Sequence, residues 1–438
     1  MRKALRLAVS TMALATGLAL AGEAFATEGY FQHAYGLRHK ALAGAGAASI
    51  EDGTGISINP AGLVGIGDQV NLGLSVFIPI RGFKSTGSAT PPAANAYTGD
   101  YKSGRKFFGV PTFAYVRQLD ADSALAFSIF GNGGMNTTYK ANSGSNKSGP
   151  FGGGETGVDL MQMFISAAYA RKFGDSFSIG VAPLFAVQRF KAYGISSFGL
   201  LSTSSGNLSN RGYSYSVGGG VRVGVLFQPS DFFSIGASYQ TKMWMSKFKK
   251  YKGLFAEGGD FDIPANLQVG IALKPTDALK LMVDYRHIFY SDVEAIANRG
   301  VCTTASTRLG ASDGCGFDWR DTNTIKVGLE YQWSDDLILR AGYAYTFPNP
   351  VRKRAVIFNI LAPGVIQHEI TGGATYRLNS NNDIDFAFMF APKTSVTGPE
   401  INPGSGSSTG NTIKDWMYQF EFSVGWTYNF GAGSTRAR

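Results

Sequence analysis

Charge, histidine and cysteine are all scarce in this sequence. Asp, Glu, Lys and Arg make up 16% of its 438 residues, well below the roughly one quarter usual for a soluble domain. With only 4 His and no HExxH or phosphate-binding loop, it offers little for metal, nucleotide or triad chemistry. His33, His39, His287 and His368 stand beside no recognisable nucleophile motif, so the reading is of a non-enzyme with no cofactor and no metal site. The two cysteines, Cys302 and Cys315, lack a CxxC spacing or nearby His. In an exported chain they are expected to close a local disulfide. Past the N-terminus no run reaches 18 uninterrupted apolar residues, which excludes a membrane-spanning helix. A net charge of +9 is modest for this length and forms no stripe, which argues against nucleic acid as a partner.

What is abundant is glycine (57), phenylalanine (32) and tyrosine (20), a composition suited to many strands and loose loops. Residues 1–26 read as a secretory signal. MRKALR supplies positive charge, LAVSTMALATGLALAG the apolar run, and Ala24-Phe25-Ala26 the cleavage site, so the mature chain is expected to begin at Thr27.

From residue 68 the pattern is strict alternation. In WMYQFEFSVGWTYNF (416–430) the even positions are all apolar or aromatic, while the odd ones, Met417 apart, are small, polar or charged. That is a strand with two unlike faces. Fourteen such segments follow one another: 68–82, 106–119, 123–137, 158–173, 176–192, 213–228, 232–246, 263–274, 278–291, 321–333, 336–348, 365–377, 383–394 and 416–430. Two are imperfect. Phe107, Phe113 and Tyr115 lie on what should be the polar face of the second, and MQMFISAAYA in the fourth resembles a helix. Short turns of Asp, Gly, Pro and Asn follow every even segment, and long Ser/Gly/Asn-rich loops follow every odd one. An even strand count with short turns at one end and long loops at the other predicts an all-β fold, a transmembrane 14-stranded antiparallel up-and-down barrel in an outer membrane. The apolar faces meet lipid, and the polar faces meet the lumen. Trp416, Tyr428, Phe430, Trp333 and Tyr290 are expected in the interfacial girdles. A soluble sandwich would need Greek-key crossovers that this regular alternation of turn lengths does not supply.

The domain reading is therefore signal 1–26, an N-terminal plug 27–67, the barrel 68–430 and a short tail 431–438. Residues 27–67 carry scattered Gly and no alternation, and about 40 compact residues are enough to fill such a lumen. Gly36-Leu37, Ala43-Gly44-Ala45-Gly46-Ala47, Glu51-Asp52 and above all Asn59-Pro60-Ala61-Gly62-Leu63 resemble the N-terminal hatch of the FadL family, outer-membrane transporters of long-chain fatty acids and other hydrophobic compounds. Asp262-Ile263-Pro264-Ala265 and Ala362-Pro363-Gly364-Val365 are similar to later family patterns. The resemblance spans the mature chain. It implies capture of a hydrophobic small molecule between extracellular loops, passage past a hatch containing Asn59, Pro60 and Ala61, and sideways release at a kinked third strand. That kink would fall at Gly131-Asn132-Gly133-Gly134, since glycines inside a strand weaken the ladder. An early turn at the strand's end is the plainer alternative.

Phe198, Leu200 and Leu201 in the loop after segment five, with Leu254 and Phe255 in the loop after segment seven, are expected to form the capture groove or to pack together as a lid. The basic clusters Lys247–Lys252 and Arg352–Arg354 suit lipopolysaccharide phosphates better than a substrate carboxylate. Charges on inner faces, among them Lys280, Asp284, Arg286, Lys326, Glu330, Arg340 and Glu421, are expected to pair with each other and with the plug. The further expectations are a monomer folded by the barrel assembly machinery, reading the terminal aromatic Phe430. A channel of the same family for monoaromatic hydrocarbons or hydrophobic esters, and more remotely a general diffusion porin, are the alternative readings.

Overall fold

A computed structural model of the chain describes residues 28–87, 94–141 and 149–430. The expected signal and cleavage site within residues 1–27 and the tail 431–438 lie outside the described residues. Among those described, fourteen long strands form the wall: β1 (Asp68–Ser85), β2 (Phe108–Gln118), β3 (Ser123–Tyr139), β4 (Thr156–Phe173), β5 (Phe177–Tyr193), β6 (Ser214–Phe227) and β7 (Phe233–Gln240). They continue as β8 (Asn266–Thr276), β9 (Leu279–Ile288), β10 (Thr322–Gln332), β11 (Leu337–Phe347), β12 (His368–Arg377), β13 (Asn382–Ile401) and β14 (Ser408–Phe430). Each pairs antiparallel with the next, and β14 closes on β1 from Asp68↔Phe430 to Ser85↔Ile413. Closure leaves no unpaired edge to face lipid, the condition for crossing a bilayer with strands.

The alternation decides which face looks out. On β1 Leu72, Leu74 and Val76 are exposed while Gln69, Asn71 and Ser75 are buried. On β14 Phe422, Val424 and Tyr428 are exposed while Gln419, Glu421, Ser423 and Thr427 are buried. The outer wall is apolar because lipid is its solvent. The interior is polar because the N-terminal segment supplies partners there.

Several expectations are corrected. On β2 the assignment of faces is reversed: Phe107 and Tyr115 are exposed outward, and Phe108, Val110, Thr112, Ala114 and Val116 point in. Phe107 and Tyr115 therefore belong to the lipid-facing side, while the inward residues of this strand, apolar apart from Thr112, pack against the lumen contents. The helix-like stretch in segment four is strand throughout. β7 stops at Gln240, because Met243 leaves the ladder to exchange backbone hydrogen bonds with Ile263. Trp244–Met245 then rejoins the wall against Gly218 and Gly219. The last hairpin is far longer than its hydrophobic alternation, since Ser395–Ile401 still pairs with Ser408–Trp416. Above the bilayer, antiparallel hydrogen bonds persist without an apolar face. Tyr290 is not in a girdle: it is fully buried beside Tyr30 and Trp319. Trp416 faces out, but Lys393 covers its ring at 4.4 Å.

Residues 28–67 lie within this wall. They form one short helix, α1 (Leu37–Ala41), and two 3-10 turns, Gly53–Ser57 and Pro60–Leu63. Asp52 caps the first turn through Thr54 N at 2.8 Å, and Asn59 caps the second through Ala61 N at 3.0 Å. Wall glycines allow the close approach. A Cβ on Gly236 would lie 2.0 Å from the Ala47 carbonyl oxygen.

Candidate functional site: a break in the wall, a buried latch and a loop cavity

The β2–β3 ladder runs from Gln118↔Ala124 to Thr112↔Phe130 and stops there. The β3–β4 ladder continues to Tyr139↔Thr156, with a bulge between Gly131 and Gly133 that leaves Asn132 unpaired. Above Phe130, then, β3 parts from β2, and the sequence-predicted residues 131–134 sit at the parting. The backbone groups freed there are met from inside. Gln32 N donates to Asn132 O at 3.0 Å, Gly134 N to Tyr30 O at 2.9 Å, and the Gln32 side chain to Gly131 O at 2.8 Å. The Asn132 side chain accepts from Tyr35 Oη at 2.7 Å and donates to Gln162 at 2.9 Å. Higher up, Arg81 Nε reaches Asn136 O at 2.6 Å, and Gly104 N reaches Thr138 O at 2.8 Å. Residues 30–32 thus stand in for a missing neighbour strand, which is what non-polar surroundings require of an open edge. Glycine is needed at 133, where a Cβ would fall 1.9 Å from Tyr30 O.

Outside the break lies an apolar recess of about 550 Å³. Outward-facing Phe113, Ile129, Met163 and Val187 line it, and at the parting it reaches inward-facing Val110 and Phe130.

Buried ion pairs hold the segment that fills the break. Glu28 meets Lys326 Nζ and, at 3.0 Å, Arg286 Nη1; all three side chains are at most 3% exposed. Arg286 also donates to Gln32 O at 3.2 Å, and Lys326 donates to His33 O at 2.7 Å and Ala43 O at 3.1 Å. Three further clusters fix the rest of the segment. Arg38 binds Asp383 at 2.8 Å and Asp385 at 3.0 Å. Lys40 meets Glu421 and, at 2.9 Å, Ser75. Lys280 bridges Glu51 at 2.7 Å and Glu330 at 3.4 Å, with Arg340 on Glu330 at 2.7 Å. Asp284 accepts from the backbone of Gly46 and Ala47. Asn59 is fully buried and donates to Ala47 O at 2.7 Å and to Val225 O of the wall at 3.0 Å. The Asn59-Pro60-Ala61 turn is thereby tied both to its own segment and to the barrel.

Burial pushes the His33 imidazole down to about 4; Lys40 and Lys326 add to the shift, and Glu421 and Glu28 oppose it. The docked segment therefore favours neutral His33. This contribution is complete above the ordinary value of 6.5 and is lost as pH falls from there through 4. A nitroxide placed at Ser49 is expected to gain mobility as pH drops across that window, and His33→Gln is expected to flatten the response.

At the other end the long loops meet over the lumen. Phe198, Leu254 and Phe255 come together with Phe190, Phe358 and Leu361 around a cavity of about 40 Å³. Leu201 packs at the edge of this cluster, whereas Leu200 is 80% exposed and lies outside it. The Cys302–Cys315 disulfide is present, with a Cα separation of 5.4 Å, and Cys315 is part of the cavity lining. The later basic cluster is largely spent within the protein: Arg352 and Arg354 pair with Asp318 at 3.2 and 2.6 Å.

The fully buried Tyr30–Tyr290–Trp319 cluster escaped sequence reasoning, although Trp319, the one tryptophan of its long loop, was a usable signal. It packs the loop following β9 onto the very residues that fill the break, and Trp319 Nε1 donates to Asn359 at 2.5 Å.

A family model described as outer membrane protein transport protein (OMPP1/FadL/TodX) matches residues 7–430. Solved structures share the fold. The toluene transporter TodX of Pseudomonas putida is 18% identical, with 91% of this chain and 99% of that one covered at a TM-score of 0.67. A FadL homologue from Pseudomonas aeruginosa is 18% identical, with 92% and 100% covered at 0.66. The toluene transporter TbuX of Ralstonia pickettii is 20% identical, with 91% and 99% covered at 0.61. No match was found among curated protein sequences.

Proposed function

Because this chain belongs to the outer membrane protein transport family (OMPP1/FadL/TodX), we propose that it takes up hydrophobic molecules passively, captures them in the loop cavity and releases them sideways through the break beside β3. Family membership makes it an outer-membrane barrel transporter of hydrophobic compounds and not an enzyme. The observation that carries the lateral route is the parting of β2 and β3 above Phe130, with an apolar recess outside it. A product leaving there enters hydrocarbon, where an apolar solute is at home.

The substrate reading rests on the lining of the capture cavity. It is apolar throughout, mostly Phe and Leu with Val158, Ile195, Ala295 and disulfide-bonded Cys315, with no cation among them, and the charges around residues 28–51 are engaged with one another. Such a path favours a neutral hydrocarbon, in keeping with two structural relatives that are toluene transporters, TodX and TbuX. Long-chain fatty acids are the second reading. The observation in their favour is the run Lys249, Lys250 and Lys252 just ahead of cavity-lining Leu254, which offers a carboxylate partner. Uptake of labelled toluene and of labelled oleate by cells with and without the protein separates the two. Loss of oleate uptake alone in the deletion strain would overturn the hydrocarbon reading.

The loop cavity makes its own prediction. Phe255→Ala and Phe198→Ala are expected to lower uptake at limiting substrate several-fold, with smaller losses at saturation. Leu200→Ala is expected to behave as the unmodified protein. Concentration dependence of uptake checks this, and equal losses for all three would remove the cavity from the route.

A further inference from the structure

The outer wall above the recess changes character. On β5 the outward positions Phe177, Ile179, Val181 and Phe185 are exposed and apolar. The next outward positions, Val187, Arg189, Lys191 and Tyr193, are only half-buried, because flanking chain folds over them. Arg189 lies over the ring of Tyr213 at 4.6 Å, and Lys191 over the same ring at 4.7 Å and over Tyr193 at 5.6 Å. Directly across the ladder from Lys191, Asp159 faces outward yet is fully buried; it accepts from Tyr213 Oη at 2.6 Å and Arg105 Nη1 at 3.2 Å. Arg105, Lys140 and Lys191 line a second concavity here, of about 800 Å³, together with Tyr193 and Glu155. Arg189 belongs to the lining of the apolar recess and Lys191 to that of the polar one. Two residues apart on one face of β5, they join the two recesses end to end. Four cations stand against the two carboxylates of Glu155 and Asp159.

Height settles what such a surface meets. Arg189 is twelve residues above Phe177 on β5. At about 3.3 Å per residue and a tilt of about 40°, that is roughly 30 Å, the thickness of the hydrocarbon core. The cationic recess therefore sits at the headgroup level of the outer leaflet, and the apolar recess directly beneath it sits at the level of the acyl chains.

We propose that this wall is a binding site for an acylated, phosphorylated glycolipid of the outer leaflet, its phosphate held by Arg105, Lys140 and Lys191 and one acyl chain lying in the recess outside the β2–β3 break. A phosphate offers the charge that clustered Lys and Arg attract at a membrane surface, and aromatic rings beneath the cations fix their position. A bound acyl chain covers the break from outside, as residues 30–32 cover it from inside, and is what a departing solute has to displace. The site follows from the barrel wall alone and does not depend on which solute crosses it.

The test uses the full protein in mild detergent, incubated with bis-phosphorylated lipid A, with dephosphorylated lipid A or with palmitate, and read by native mass spectrometry. The expected result is one retained bis-phosphorylated lipid A, with retention at least tenfold lower for the dephosphorylated form and for Lys140→Gln/Lys191→Gln. Arg171→Gln, which removes an outward cation near the opposite end of the wall, is expected to change nothing. Heat-modifiable migration on gels confirms that each variant is a folded barrel. Undiminished retention by the double variant overturns the site. So does equal binding of the dephosphorylated lipid, an equal loss in Arg171→Gln, or palmitate retained through these lysines in place of lipid A.

Discussion

Replacing Gly131-Asn132-Gly133-Gly134 by three ordinary strand residues, Val-Thr-Val, is expected to lower uptake at least tenfold while leaving the barrel assembled. The reason is geometric. Asn132 is the extra residue of the bulge, and removing one position restores a two-residue period through β3. The hydrogen bonds that now end at Thr112↔Phe130 can then continue up the facing stretch of β2, closing the parting. A side chain at the position of Gly133 also collides with the Tyr30 carbonyl, so residues 30–32 lose their place as surrogate strand. Folding is judged by heat-modifiable migration and uptake by labelled substrate. Undiminished uptake in a variant with a closed β2–β3 ladder would refute sideways release.

Glu28→Gln is expected to free the N-terminal segment without unfolding the wall. Glu28 is the only carboxylate among the described residues shown pairing with Arg286 and Lys326, which lie on adjacent strands β9 and β10. Removing one partner of a buried ion pair costs about 3–5 kcal/mol, because the remaining charge is stranded. That cost falls on docking of residues 28–33, while the closed ladder of fourteen strands is untouched. Hydrogen exchange of the amides of Gln32 and Gly134, which now bind across the break, is expected to speed up at least tenfold at constant pH. Glu28→Gln/Lys326→Met should recover part of the protection, since it removes one of the stranded cations. Unchanged exchange in Glu28→Gln would mean that the ring cluster around Tyr30 holds the segment instead.

The barrel was legible because lipid and lumen impose opposite demands on alternate residues. Leu72, Leu74 and Val76 against Asn71 and Ser75 encode one strand's two faces with no knowledge of its neighbours. Turn residues between segments encode the antiparallel order. Legibility failed wherever a ring or charge answered to a partner far away in the chain. Tyr290 read as a girdle residue because it ends an alternating run, yet it is buried against Tyr30, 260 residues away. Phe113 and Tyr115 read as misplaced because the inward residues of β2, Thr112 apart, are themselves apolar. Leu200 and Phe198 have the same local character, yet one is exposed and the other lines the cavity.

The sequence by itself determined that this chain is a fourteen-stranded outer-membrane barrel with an irregular segment ahead of it, because a period of two is a local property. It also marked where the wall is weak, since glycines within a strand are visible without a fold. Only the tertiary structure decided what fills that weakness. The hydrogen bonds of residues 30–32 to β3 and the pairing of Glu28 with Lys326, 298 residues apart, arise from closure of the barrel around the segment. No local pattern records which buried charge will find which partner, because that choice is made by three-dimensional proximity in a space from which water is excluded.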